Sequence, residues 1–330
     1  MTFTILRTAA GSPVAPFVIR ALQSIPDIRV VAVDADPLSC GFHFADAHHA
    51  VPPVSDPGFL EAMLDVCRKE RIDLVFPDLD EELLLLARSR QAFEALGTRV
   101  LLSHPEAIET CLDKYETYRF FRRTSIPTPE TRLPSELGGN PKWSWPRIVK
   151  PRRGRGSRHV YQVTGQAELS LFLRYVEDPL VQEYVAGTEY SIDTLSDLGG
   201  GFLYAAIRER ITTDSGISIK GRTVAHPEIE AHAKRVVEAV GLVGPACLQC
   251  IEDAAGHVKF IEVNPRIGGS AVLSMAAGAP VVSDAVRLVR SEPVLGLSEY
   301  RTGLLMLRHW AEVFIDPAKQ AARDGICDAR

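Results

Sequence analysis

The 330-residue sequence contains no apolar stretch long enough to cross a bilayer. A membrane helix needs about 20 consecutive apolar residues, and the longest stretch here, residues 276–282 with their neighbours, is interrupted by Gly278 and Pro280. The opening apolar residues lack a basic flank and stop at Arg7, so no targeting signal is evident and the expected compartment is cytoplasmic. Positive charge is not in excess either. Against 42 Asp and Glu stand 37 Lys and Arg, a formal net charge of −5, which excludes a general basic field for nucleic acid. Cysteine is sparse. Six are dispersed along the chain, unlike a secreted disulfide framework. Cys247 and Cys250 form one CxxC without a second, in a segment that reads as a strand, where residues three apart face opposite ways. Buried reduced thiols are the expected outcome.

Several catalytic signatures are missing as well. No GxxxxGK[ST] occurs, which excludes a Walker-type P-loop. The loop Ala9-Ala10-Gly11-Ser12-Pro13 has one glycine where a dinucleotide fingerprint has three, although Asp34 follows the second strand; an NAD-dependent oxidoreductase is therefore a rival with weak support. No Ser-His-Asp or Cys-His signature marks a protein nucleophile.

What is present is an ordinary globular composition, 46% hydrophobic and 24% charged, in a chain long enough for two or three domains. Over the first hundred residues, apolar runs at 3–6, 30–33, 74–76 and 100–102 alternate with helical patterns at 17–22, 59–69 and 82–96. That alternation predicts a parallel sheet covered on both faces. The carboxylates Asp78, Asp80, Glu81 and Glu82 read as an aspartate cap and acidic first turn, with a substrate role at a strand's carboxyl end as the alternative. Residues 105–124 read as one helix, with Asp113 and Lys114 in its middle, stopped by Pro127 and Pro129; residues 134–145 read as a loop. The second half mixes strands at 147–150, 160–163, 181–184, 190–195, 202–208, 247–252 and 259–263 with helices at 169–176 and 227–240, an α+β pattern.

Three segments carry chemistry. In Phe260-Ile261-Glu262-Val263-Asn264-Pro265-Arg266, Glu262 and Asn264 are two apart on a strand and share a face. Oxygen ligands so placed suit Mg2+, and Arg266 follows close by. In Ile148-Val149-Lys150-Pro151, a lysine ends an apolar strand, and Gly154, Gly156 and Ser157 lie in the arginine-rich loop that follows. Glycines let backbone amides approach phosphate, and lysine adds a point charge. A nucleic-acid arm is the competing reading of these arginines, opposed by the acidic total charge and the lack of interleaved aromatics. In the third segment, backbone at Glu183, Tyr184 and Val185 suits an adenine edge and Glu189 a ribose; taken alone it is only a hairpin.

In this order the three segments resemble the ATP-grasp superfamily, in particular carbamoyl-phosphate-synthase-like members and amino-acid ligases. The resemblance implies a Rossmann-like pre-ATP-grasp α/β domain over residues 1–104, followed by a two-lobed α+β ATP-grasp fold: a small lobe with a linker helix over 105–185 and a large lobe over 186–330. It implies ATP with two Mg2+ ions, Mn2+ being an alternative. Lys114 and Lys150 become nucleotide lysines, Gly154, Gly156 and Ser157 a lid, Glu183, Tyr184 and Val185 the adenine hinge, and Glu189 the ribose carboxylate. Gln249, Glu262 and Asn264 become metal ligands; Arg266 steadies the transferring phosphoryl group, and Arg208, Lys220 and Arg222 face the phosphates. Gln249 stands where many relatives have a carboxylate. The implied activity is ATP-dependent ligation of a small-molecule carboxylate to an amine, with a homodimer as the expected assembly. The alternatives are a carboxyphosphate- or carbamate-phosphorylating half and a non-catalytic Mg-ATP-binding regulatory module.

Overall fold

The computed structural model describes residues 2–138 and 144–316. Its first unit is a five-stranded, all-parallel sheet built from β1 (Phe3–Arg7), β2 (Ile28–Asp34), β3 (Ala47–Ala50), β4 (Leu74–Phe76) and β5 (Arg99–Val100), in the order β3-β2-β1-β4-β5. The connections include α1 (Ala15–Gln23), α2 (Phe59–Glu70), α3 (Asp80–Arg88) and α4 (Arg90–Glu94). The chain winds outward from β1 to β3, then returns to β4 on the other side of β1. The loops after β1 and β4 therefore diverge at a topological switch point, where open sheets offer a crevice.

Two helices expected from the sequence are each divided in two. The 82–96 pattern breaks at Ser89, between α3 and α4. The 105–124 pattern breaks into α5 (Pro105–Leu112) and α6 (Lys114–Arg123), because Asp113 takes an extended conformation and its carboxylate accepts from the amides of Tyr115 and Glu116. Asp113 is thus the cap of a new helix, a role its short carboxylate suits better than a helix interior.

A second, four-stranded antiparallel sheet follows, from β6 (Thr131–Arg132), β7 (Arg147–Pro151), β8 (Tyr161–Val163) and β9 (Pro179–Glu183), in the order β6-β9-β7-β8 with α7 (Gln166–Tyr175) on it. Of the 134–145 loop, residues 134–136 make a short 3-10 turn, and 139–143 lie outside the described residues, as does Cys327. The third sheet is antiparallel and six-stranded: β10 (Gly187–Ser196), β11 (Phe202–Asp214), β12 (Ile217–Val224), β13 (Gly244–Asp253), β14 (Val258–Asn264) and β15 (Leu305–Leu307), ordered β14-β13-β10-β11-β12-β15. Helix α8 (Pro227–Val240) covers one face, beginning at a proline and ending at Gly241 with φ +74°. Helices α9 (Ala271–Ala276) and α10 (Val281–Val289) were not expected from the sequence.

One apolar core runs without interruption from the first sheet (Ile5, Val30) and α1 (Val18) into the third (Leu195, Tyr204, Ala206) and α10 (Val282, Val286). The small lobe has its own modest core of Val149, Val163, Leu169, Val176 and Val181.

Candidate active site

A cavity of about 390 Å³ lies where the three sheets meet. The third sheet supplies its floor through strict alternation. Glu189 and Ser191 on β10, Arg208 and Arg210 on β11, and Cys247, Gln249 and Ile251 on β13 line the cavity. The intervening residues, among them Tyr190, Ile192, Ile207, Leu248 and Cys250, enter the core beneath α8. Cys247 and Cys250 thus face opposite sides of the strand, and burial pushes the Cys247 thiol up to about 12.

On β14 the alternation is broken. Gln249 pairs with Glu262 but Cys250 with Phe260, so Ile261 is an extra residue. This bulge lets Phe260 stay in the core while Ile261, Glu262 and Asn264 all reach the cavity. With its amide oriented to suit both neighbours, Gln249 donates to Glu262 Oε2 and accepts from Arg210 Nη1, each at 3.2 Å. Glu262, Asn264 and Gln249 place one carboxylate and two amide oxygens on a single wall. That set suits a small hard cation that shares phosphate oxygens. Among the described residues, no group of three His, Cys, Asp or Glu is placed to hold a metal by itself.

The small lobe forms the opposite wall. Lys150, at the buried end of β7, donates to Gln182 Oε1 at 2.9 Å, and its ammonium is pushed down to about 8 by burial and by nearby Lys114. Lys114 Nζ lies 2.7 Å from Gly154 O and 3.9 Å from Glu262. The loop after β7 lines the cavity with Gly154, Gly156 and Ser157 at φ +120°, +69° and +53°. It packs on the turn between β11 and β12, where a Cβ on Gly216 would come 2.8 Å from Gly156 Cα. Burial pushes the Glu189 carboxyl up, against the opposing pull of Arg210 3.1 Å away.

The first domain closes the third side, through Ser12, Pro13 and Val14 after β1 and Asp78 after β4. Asp78 accepts from Ser12 Oγ at 3.2 Å and pairs with buried Arg7 at 2.5 Å. The expected aspartate cap is not found here. Instead Glu82 accepts from the amides of Asp78 and Leu79, both at 3.1 Å, because its longer side chain reaches back a full turn. This frees Asp80 to grip Arg266 through two bonds, Nε–Oδ1 at 2.6 Å and Nη2–Oδ2 at 3.0 Å. Glu81 pairs with Arg155 of the loop after β7 at 3.0 Å.

Lys114, Lys150, Gly154, Gly156, Ser157, Glu189, Arg208, Gln249, Glu262, Asn264 and Arg266 therefore line one cavity. Glu183, Tyr184 and Val185 sit at and just beyond the end of β9, next to cavity-lining Gln182. Lys220 and Arg222 do not join them: both are exposed residues of β12, and Arg222 pairs with Glu209 on the face away from the cavity. No strand is expected over 217–224 from the sequence, so the alternation that turns Lys220 and Arg222 to the outer face does not enter that expectation. Arg210 lines the cavity beside Arg208 because the two are two apart on β11 and share a face; the strand expected over 202–208 stops short of it. Asp78 lines the cavity at a strand's carboxyl end, the place the alternative reading of the acidic cluster gives it, whereas Ser12 has no signal beyond a single neighbouring glycine.

Residues 111–270 match the model of an ATP-grasp domain, and residues 6–101 that of a PylC-like N-terminal domain. The chain is 28% identical over 267 residues to the carbamoyl phosphate synthase large chain of Rubrobacter xylanophilus, covering 73% of this chain and 25% of that one. It is 26% identical over 193 residues to the 3-methyl-D-ornithine–L-lysine ligase of Methanosarcina acetivorans, covering 58% and 46%. The chain thus spans between a quarter and a half of these relatives' lengths. The biotin carboxylase domain of Hydrogenobacter thermophilus 2-oxoglutarate carboxylase, solved with MgADP and bicarbonate, shares the fold with a TM-score of 0.73 at 19% identity, over 92% of this chain and 74% of that one. The chain thus carries a region that matches an ATP-grasp domain, residues 111–270, behind one that matches a PylC-like N-terminal domain, residues 6–101.

Proposed function

We propose that the chain is an ATP-dependent ligase that phosphorylates a carboxylate and couples the resulting acyl phosphate to an amine, releasing ADP and phosphate. Amino-acid-like substrates are the class favoured by the resemblance to amino-acid ligases, and a cytoplasmic location is part of the same reading. The observation that carries it is the convergence of Lys114, Lys150, Glu262, Asn264 and Arg266 on one cavity under a glycine loop, with no histidine among the described lining residues. Transfer of a phosphoryl group needs positioning and charge neutralisation more than a protein nucleophile.

In this reading adenine lies against Ile148, Ile251 and Ile261, with its edge on the backbone at 183–185 and the ribose on Glu189. Lys114 and Lys150 neutralise the phosphates, and the 152–158 loop excludes water from them. Arg266 holds the transferring group, and Arg208 and Arg210 line the acceptor side. Glu262, Asn264 and Gln249 would hold Mg2+, two ions by the resemblance, which neutralises and orients phosphate oxygens when bound. The three functional units proposed are residues 1–104, 105–185 and 186–330. A second reading, phosphorylation of bicarbonate or carbamate, is favoured by the similarity to carbamoyl phosphate synthase over most of this chain.

The test is ADP release from Mg-ATP across pairs of amino acids, small carboxylates and bicarbonate, with Glu262→Ala as the reference. A pair that releases more ADP than either compound alone identifies the ligase, and Glu262→Ala should lower that rate by about 10²–10³-fold. Release with bicarbonate alone selects the second reading. Undiminished turnover in Glu262→Ala removes both.

A further inference from the structure

We infer that Asp80 is the positioning residue for Arg266, so that the N-terminal domain completes the catalytic constellation of the ATP-grasp domain. The inference rests on the reading of Arg266 as the phosphoryl-group arginine and adds to it the residue that sets its geometry. Arg266 and Asp80 are separated by 186 residues in sequence, yet they form a fork-to-fork pair with both side chains 15% exposed. Arg266 Nη1 also donates to Ile267 O at 2.9 Å. All three guanidinium nitrogens are therefore tied, and the plane of the group is fixed rather than swinging on a flexible stem.

Asp80 is itself held from below. Glu82 grips the amides of Asp78 and Leu79 and also accepts from Thr8 Oγ1 on the loop after β1. This rigid turn aims the Asp80 carboxylate at the cavity wall. A tie between domains is not its main purpose, because the apolar core already joins the first sheet to the third. Nor does Asp80 add positive field at the phosphates; its charge opposes that of Arg266. What remains is orientation, and orientation of a group facing a transferring phosphoryl is worth a large factor in rate. The next residue, Glu81, takes Arg155 of the loop after β7, so one helical turn meets two of the arginines that line the cavity.

The test uses the full chain and two readouts. In the unliganded protein, the Arg266 side-chain Nε–H resonance, assigned by its loss in Arg266→Lys, should be distinct and slow to exchange. In Asp80→Asn it should merge with the solvent-exposed arginines. In steady state, Asp80→Asn should lower kcat by about tenfold to a hundredfold, with the KM for ATP unchanged within twofold. It should add nothing further in an Arg266→Ala background, and Asp80→Glu should recover part of the loss. A resonance unmoved in Asp80→Asn overturns the proposal, as does a loss that adds fully to that of Arg266→Ala. A variant that loses thermal stability or ATP affinity while keeping kcat also overturns it, since that marks a structural tie. Wild-type turnover in Arg266→Ala would remove the phosphoryl-arginine reading and this inference with it, whereas a failed Asp80 variant beside a crippled Arg266→Ala touches only the inference.

Discussion

Lys150 shows how a single residue's surroundings set a testable property. Burial, reinforced by Lys114, pushes its ammonium down to about 8, from an ordinary value of 10.5. Between those values the unfolded chain binds the extra proton, so the penalty of burying the charge is full below pH 8 and is relieved as pH rises through that window. In the proposed function phosphate oxygens lie beside Lys150, act in the opposite direction and draw the proton back. Nucleotide binding near pH 8.5 is therefore expected to take up a proton, and affinity to fall as pH rises above about 8. Calorimetric titration with ATP in two buffers of different ionisation enthalpy measures the uptake. Lys150→Met should abolish the buffer dependence along with much of the affinity. Wild-type affinity and apparent enthalpy that stay flat from pH 7 to 9 would reject this role for Lys150.

Among the elements, the loop after β7 depends on a close backbone approach. Gly216 has φ +76°, and an added Cβ would meet Gly156 Cα and C at 2.8 and 3.0 Å, contacts with backbone that cannot swing aside. Gly216→Ala should cost about 1–3 kcal/mol in strain and displace the loop, so a fluorescent ATP analogue should leave roughly tenfold faster in stopped flow. An unchanged release rate would show that the loop does not retain nucleotide. The same scale explains what the sequence made legible. Strands such as β7, β10 and β13 and helix α8 have strong periods and distinct ends, and so were readable. The break at Asp113, which makes one helix into two, needs a cap that only the local geometry reveals. The bulge at Ile261 is a one-residue slip in pairing with β13, and nothing in the pattern of β14 alone announces it. Glu262 and Asn264 were placed together because they lie two apart. Ser12 and Asp78 reach the cavity through the sheet's switch point, a property of topology that no local motif carries.

Across the whole molecule, stability is unevenly distributed. The first and third sheets share one apolar core with α1 and α10, whereas the small lobe rests on five buried aliphatic residues and a few polar ties. Of those ties, Lys259 to Glu183 at 2.8 Å is partly exposed and contributes little by itself, while Arg152 holds the buried Asp113 through two bonds, at 3.2 and 2.6 Å. Local opening free energy follows the density of buried apolar contact. Amides of β7, β8 and β9 should therefore exchange with solvent sooner than those of β1, β10 and β13 in the unliganded chain. In the proposed function nucleotide bridges Lys150 on the small lobe and Glu262 on the large lobe, which would link the weak unit to the strong one. At a ligand concentration about 100 times Kd, that linkage adds about 2.7 kcal/mol, enough to slow exchange in the small lobe roughly a hundredfold where opening requires release. Hydrogen exchange followed by mass spectrometry, with and without Mg-ATP, measures this peptide by peptide. Protection confined to the third sheet would mean that nucleotide does not span the lobes, and the assignment of Lys114 and Lys150 as its phosphate ligands would fall with it.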